Sequence, residues 1–228
     1  MEVNVKVLYE DKCLIVFDKP SGLLVIPAVG RSPITLTYLV NQRYASMGGE
    51  RLHPCHRLDE QTSGVIIYAK GKRNQKTMMD VFHHRAVKKK YIAFVKGRMK
   101  RKSGCIKGFI IDQHKKRFLK DGAGRPMSHR GKMAQTLYQV KEIRGSFSIV
   151  EVYPQTGRTH QIRIHFKQIG HPLLGERLYA FRKDFDINFR RLALHAQEVS
   201  FRHPVTKKDV VVRSELPQDM KDFLKKFH

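Results

Sequence analysis

The run GVIIYAKG, residues 64–71, limits the fold more than any other stretch of the chain. It is β-branched and aromatic, and glycines bracket it, so it reads as a strand. Similar runs recur. CLIVFDKP reads as a short buried-type strand that stops at its proline, and SGLLVIPA as a turn and a further strand. In KKYIAFVKG, Tyr91, Ala93 and Val95 share one face of a strand. AQTLYQVKEI and SFSIVEVYP form a hairpin divided at Arg144 and Gly145, and RLALHAQEVSFRHP supplies one or two strands more. Near the start, Val3, Val5, Val7 and Tyr9 alternate onto one face. Helical spacing is confined to four places. These are residues 33–47 behind Pro33, residues 73–86, Ile162 to Ile169, and a final amphipathic turn with Met220, Phe223 and Leu224 inward. Gly170 and Pro172 provide a stop for the third. Strands joined by short turns favour antiparallel pairing, so the class is α+β with one continuous core. There is no internal repeat and no low-complexity linker.

A chain of 228 residues fits one large domain or two small ones. Its 45 Lys and Arg outnumber 20 Asp and Glu, for a formal charge of +25. Such an excess concerns partners rather than fold and points to a polyanion, nucleic acid before an anionic membrane surface. The opening residues lack the basic start and apolar centre of a signal peptide. No apolar run approaches the roughly 18 residues of a membrane span. Cys13, Cys55 and Cys105 are odd in number and far apart. That argues against a disulfide framework and for a reducing, cytoplasmic setting. HPCH, 53–56, and the pair His83 and His84 have no zinc-type spacing beside them, so no metal site is expected. Most of the histidines are expected at the surface or near bound phosphate.

From Lys88 to Lys132 sixteen Lys and Arg face two acids, Asp112 and Asp121, with Phe94, Phe109 and Phe118 interleaved. Self-repulsion makes such a section costly unless phosphates neutralise it, and aromatics among cations can stack on bases. The segment TGRTHQIRIH is denser. A glycine turn before a helix start offers N–H groups to an anion, and Arg158, Thr159 and His160 add donors. Arg163 is expected on a different helical face from Arg158, with Ile162, Phe166 and Ile169 packed inward. In HRLDEQTSG, residues 56–64, Asp59 reads equally as a turn former or as a reacting carboxylate.

HRLDEQTSG resembles the HRLDxxTSG signature of the RluA-type RNA pseudouridine synthases. DKPSGLLVIPA, KKYIAFVKG, GKMAQTLYQV, QTGRTHQIRIH with GHPLLGERLYA, and RLALHAQEVSFRHP resemble further motifs of that family in the same order. The likeness runs from about Leu8 to Leu224. It implies a pseudouridine synthase fold: a mixed, largely antiparallel sheet with flanking helices and a central RNA-binding cleft. It also implies an enzyme that breaks the glycosidic bond of a uridine, turns the base, and joins carbon five to the ribose, with no cofactor and no metal.

By the same resemblance Asp59 is the nucleophile or its equivalent, whether it attacks sugar or base or assists an elimination. Arg163 pairs with it, as a guanidinium that stays charged and can grip a carboxylate. Tyr91 stacks on the target base and is a candidate for removing the proton at carbon five. Leu194, with Leu192 as competitor, forms the apolar side of the base pocket. Arg57 enters the space left by the extruded base. Arg158 and His160 take backbone phosphate. Many relatives carry a small RNA-binding domain before the Lys-Pro-x-Gly motif. Residues 1–228 are expected to be a single catalytic domain without one, its basic section standing in. The expected substrate is a tRNA or rRNA stem-loop, met by a monomer with no membrane partner. The alternatives are a non-catalytic RNA-binding or RNA-chaperone protein derived from this family, and a nuclease or base-removing hydrolase using a lone carboxylate.

Overall fold

The computed structural model describes residues 5–30, 32–111, 131–180 and 186–227. Its strands are β1 Lys6–Glu10, β2 Leu14–Lys19, β3 Leu52–Pro54, β4 Ser63–Lys70 and β5 Lys88–Lys96, then β6 Ser103–Ile110, β7 Lys132–Arg144, β8 Phe147–Pro154, β9 Leu194–Arg202 and β10 Asp209–Arg213. The helices are α1 Leu36–Ser46, α2 Gly71–His83, α3 Gln161–Gln168 and α4 Gln218–Lys225. One sheet runs in the order β1-β2-β4-β9-β5-β8-β7-β6, with β3 beside β4 and β10 beside β9. Its pairings are antiparallel except for β4 with β9. That parallel contact is short, matching Ser63 with His195 and Gly64 with Ala196. The class is α+β, as the sequence implies.

The unbroken apolar run of β4 follows from its position. Alternate side chains of a strand point to opposite faces, so a strand covered on both sides needs apolar residues throughout. Val65 and Ile67 pack with Leu14, Val16 and Met78, which brings in α2. Ile66 and Tyr68 pack with Ile15, Phe17, Leu36 and Val40, which brings in α1. The other half repeats the plan. Ala93, Val95, Val150 and Val152 meet Ile162 and Phe166 of α3, while Ile92, Phe94, Phe147 and Ile149 meet Met220 and Phe223 of α4. Phe166 is fully buried, so truncation to alanine would cost about 3–5 kcal/mol.

Several local expectations are corrected. SGLLVIPA keeps its turn, with Gly22 at φ +85, but forms no second strand. The carbonyls of Leu24 and Val25 instead accept from the N–H groups of Leu36 and Thr37 at the start of α1 (2.7 and 3.1 Å). Those donors have no partner inside their own helix. The expected common face of Val5, Val7 and Tyr9 is broken by a register shift between Val7 and Tyr9 where β1 meets β2, and Val7 is exposed. Ile169 is also exposed, because α3 stops at Gln168. Arg158 lies in the turn before α3 and not on another face of it. Strand β6 sits within the basic section, with Ile106 and Ile110 buried and Phe109 exposed. Val3 and residues 112–130 of that section, Phe118 included, lie outside the described residues.

Candidate active site

Asp59 stands in the turn between β3 and β4. Thr62 N–H donates to the Asp59 carbonyl at 3.0 Å. Neighbours brace this turn from two directions. The buried Lys19 ammonium donates to the carbonyls of Pro20, Leu23 and Glu60 at 2.9, 2.7 and 3.0 Å. Gly22 N–H reaches the same Glu60 carbonyl at 2.8 Å, and the Ser21 hydroxyl reaches the Gln61 carbonyl at 2.8 Å. Burial pushes the Lys19 ammonium down to about 7, with the Asp59 and Glu60 carboxylates opposing. From the other side Leu192 N–H donates to Gln61 Oε1 at 3.0 Å. His56 Nε2 accepts from Ile67 N–H at 3.0 Å, tying the head of the turn to β4. Desolvation, with Lys89 adding to it, pushes this imidazole down to about 3.

Arg163 comes from the first turn of α3. Gln161 anchors that turn: its Oε1 accepts from the Thr156 hydroxyl and Arg158 N–H (2.6 and 3.1 Å), and its Nε2 donates to the Gln135 carbonyl (2.9 Å). The Arg163 guanidinium serves two acids. Its Nε and one terminal nitrogen donate to Glu176 at 2.7 and 2.8 Å, and the other terminal nitrogen reaches Asp59 Oδ2 at 3.3 Å. The Glu176 side chain has no exposed surface and also accepts from Leu178 and Tyr179 N–H, at 2.8 and 3.3 Å. Burial works against its charge, and the Arg163 guanidinium with those N–H groups carries its pKa below the ordinary glutamate value. The Tyr179 ring lies 5.3 Å from the guanidinium carbon, and its hydroxyl bonds His160 Nδ1 at 2.8 Å. His160 Nε2 lies 3.8 Å from Asp59 Oδ1. Burial lowers the His160 pKa, with Arg163 and Arg57 acting the same way and Asp59 and Glu176 opposing.

These groups open onto a cleft of about 590 Å³, a volume suited to one nucleotide. All seven residues singled out from the sequence line it: Arg57, Asp59, Tyr91, Arg158, His160, Arg163 and Leu194. Leu192 does not; it is buried in the core beneath. Burial and the Asp59 carboxylate raise the Tyr91 phenol well above its ordinary range, so it stays protonated at neutral pH. Among the described residues Asp59 is the only acid in the lining, against five lysines and arginines.

Sequence reasoning gave no role to Glu176, Tyr179, Lys19 or Lys89. All four lie inside motifs quoted above, so their presence was visible and their surroundings were not. Three histidines depart from the general expectation: His165, His195 and His203 are core residues. One group among the described residues has ligand atoms close enough for a metal, Asp11, Cys13 and His203, away from the cleft. Two of its three members already hold each other and nearby backbone, with His203 Nε2 3.0 Å from Asp11 Oδ2. His203 Nδ1 accepts from Val205 and Thr206 N–H, and Asp11 accepts from Tyr9, Cys13 and Leu14.

Residues 13–168 match the family described as RNA pseudouridylate synthase. A Bacillus subtilis protein named Uncharacterized RNA pseudouridine synthase YlyB is 34% identical over 97% of this chain and 72% of its own length. Ribosomal large subunit pseudouridine synthase D of Zymomonas mobilis is 31% identical over 96% of this chain and 71% of its own. Dual-specificity RNA pseudouridine synthase RluA of Vibrio vulnificus is 34% identical over 87% and 78%. Among solved structures, Human RNA Pseudouridylate Synthase Domain Containing 4 superimposes with a TM-score of 0.77 at 24% identity, covering 97% of this chain and 93% of that one.

Proposed function

Since this chain belongs to the RNA pseudouridylate synthase family, we propose that Asp59, Arg163 and Tyr91 carry out its isomerisation of uridine to pseudouridine in RNA. The observation that carries this assignment is the lone lining carboxylate beside a guanidinium, in a cleft whose other charged side chains are cationic. A uridine everted from its stack brings its base and ribose against Asp59. The carbon–nitrogen glycosidic bond breaks, the base turns, carbon five bonds to the ribose, the proton on carbon five leaves, and the freed ring nitrogen takes one up. Nothing is added or lost overall, so the chain's task is to hold the detached base and stabilise the charge that develops.

Arg163 holds the Asp59 side chain in orientation. It does so through one contact of 3.3 Å, because its other donors serve Glu176, and that leaves the second Asp59 oxygen unclaimed by the guanidinium, with only His160 Nε2 nearby at 3.8 Å. Tyr91 stacks on the base as a neutral phenol, and Leu194 gives the base pocket an apolar side. Arg57 fills the space the base vacates, while Arg158 and His160 take phosphate. The names of the relatives, for the large ribosomal subunit and for dual specificity, favour a tRNA or rRNA stem-loop as substrate. We read the chain as one catalytic domain that works as a monomer.

Purified protein should release tritium from RNA labelled at carbon five of uridine. Asp59→Ala should cut release at least 1,000-fold, the scale expected when a reacting group is lost, and leave RNA binding within a few-fold. Release that persisted in the variant would remove Asp59 from its role. Mapping pseudouridine in cellular RNA with and without the gene would identify the uridine.

A further inference from the structure

Lys88, Lys89 and Lys90 are consecutive on β5, yet the structure treats the last two differently. Lys90 lies 3.8 Å from Glu151 and 3.9 Å from Glu198. Lys89 faces the other side of the strand and lines the cleft. Among the described residues no carboxylate, carbonyl or hydroxyl takes its ammonium. Burial holds the Lys89 pKa below the ordinary lysine value, and no acid opposes that shift. Lys19 marks the contrast, since three carbonyls and two acids answer its burial. A half-buried cation left without a counter-charge is costly to the free protein and well matched to an anion that arrives later.

A second observation concerns the same wall. Three non-glycine residues have positive φ among the described residues: Arg85 at 57°, His160 at 53° and Lys207 at 60°. Two of them line the cleft, Arg85 just past the end of α2 and His160 just before α3. Arg85 occupies the left-handed position after a helix that glycine usually fills without strain. Strain kept at a cleft wall in order to present a cation is a pointer to function. Opposite the Lys89 ammonium the chain is bare: a Cβ on Gly157 would lie 3.9 Å from Lys89 Nζ.

We propose that Lys89, with Arg85 beside it on the α2 side of the cleft, forms an anion subsite for an RNA backbone phosphate next to the everted uridine. This subsite adds to the contacts of Arg158 and His160, since the Lys89 ammonium reaches across to the turn at Gly157 that carries Arg158. Lys89 and Tyr91 sit two residues apart on one strand face, roughly 7 Å along it. A base stacked on Tyr91 therefore leaves its own backbone within reach of a lysine side chain. The proposal rests on the reading that RNA occupies this cleft.

The test measures binding of one synthetic uridine-containing RNA stem-loop across a series of salt concentrations. The unaltered protein is compared with Lys89→Met, Lys89→Arg and Arg85→Gly. Losing one phosphate contact lowers the slope of log affinity against log salt by about 0.7–0.9. The expected result is that loss in Lys89→Met, its return in Lys89→Arg, and a smaller loss in Arg85→Gly. Tm should hold or rise in Lys89→Met and Arg85→Gly, since one removes an unpaired charge and the other a strained φ. A lysine that only packed would lower Tm and leave the slope alone. An unchanged slope in Lys89→Met overturns the subsite whatever Tm does. Tritium release by the unaltered protein judges the isomerase reading separately, and its absence would leave the salt slopes to judge the subsite.

Discussion

Arg163 divides its donors between Glu176 and Asp59, so the geometry of the Asp59 carboxylate depends on an acid that does not line the cleft. Glu176→Gln removes the charge while keeping the shape. The guanidinium should then turn toward Asp59 and occupy the oxygen the reaction needs. The expected outcome is a fall in kcat of roughly 10–100-fold with little change in KM, the size of loss that small misplacements produce, and partial recovery in Glu176→Asp. Single-turnover tritium release would separate this from a binding defect, and an unchanged kcat would sever the link. Glu176→Ala should cost about 3–5 kcal/mol by stranding a largely buried cation. Sequence reasoning reached Asp59 and Arg163 because each lies in a short motif of fixed spacing. It passed over Glu176, which stands in a loop 13 residues beyond its partner with no periodicity to link them. Lys89 was hidden differently, inside a run of like charges where one unpaired member has no distinguishing mark.

The elements that were legible are those whose cover leaves a pattern. β2, β4, β5, β8 and β9 carry apolar runs because helices or further strands press on them. β3 and β10 are too short for such a signal, and two glycines and the exposed Lys107 interrupt β6. The parallel contact of β4 with β9 was not legible at all, since adjacent strands and short turns argue for antiparallel pairing. What the sequence does supply there is Gly64, the last residue of HRLDEQTSG. Its φ is +110, and a Cβ on it would sit 2.1 Å from the Ala196 carbonyl oxygen. Gly64→Ala must push β4 from β9 or strain both, at about 2–4 kcal/mol. Thermal unfolding by circular dichroism should show Tm lower by roughly 5–15 °C. A Tm equal to that of the unaltered protein would mean that the junction is loose enough to yield.

At the scale of the molecule, five histidines share one direction of shift. Burial lowers the pKa of His53, His56, His160, His165 and His195. Their folded values lie below the ordinary value of about 6.5, so below that pH the unfolded chain binds more protons than the folded one. The stability that these rings contribute is therefore complete above about pH 6.5 and drains away as the pH falls. Tm measured at constant ionic strength should decline steadily from pH 7.5 to 5. In His56→Gln, whose amide oxygen can still accept from Ile67 N–H, the decline should be shallower by about one proton. A flat profile would contradict the burial of these rings. The late position of β9 in the chain also has a consequence for synthesis. The turn bearing Asp59 leaves the ribosome well before Leu194 and the strand that seats β4 beside β5. Pairing across so much sequence is slow to form. A nascent fragment that stops short of Leu194 therefore lacks both a residue of the cleft lining and the strand that holds the two halves of the sheet together, so the cleft cannot close around RNA before β9 is made.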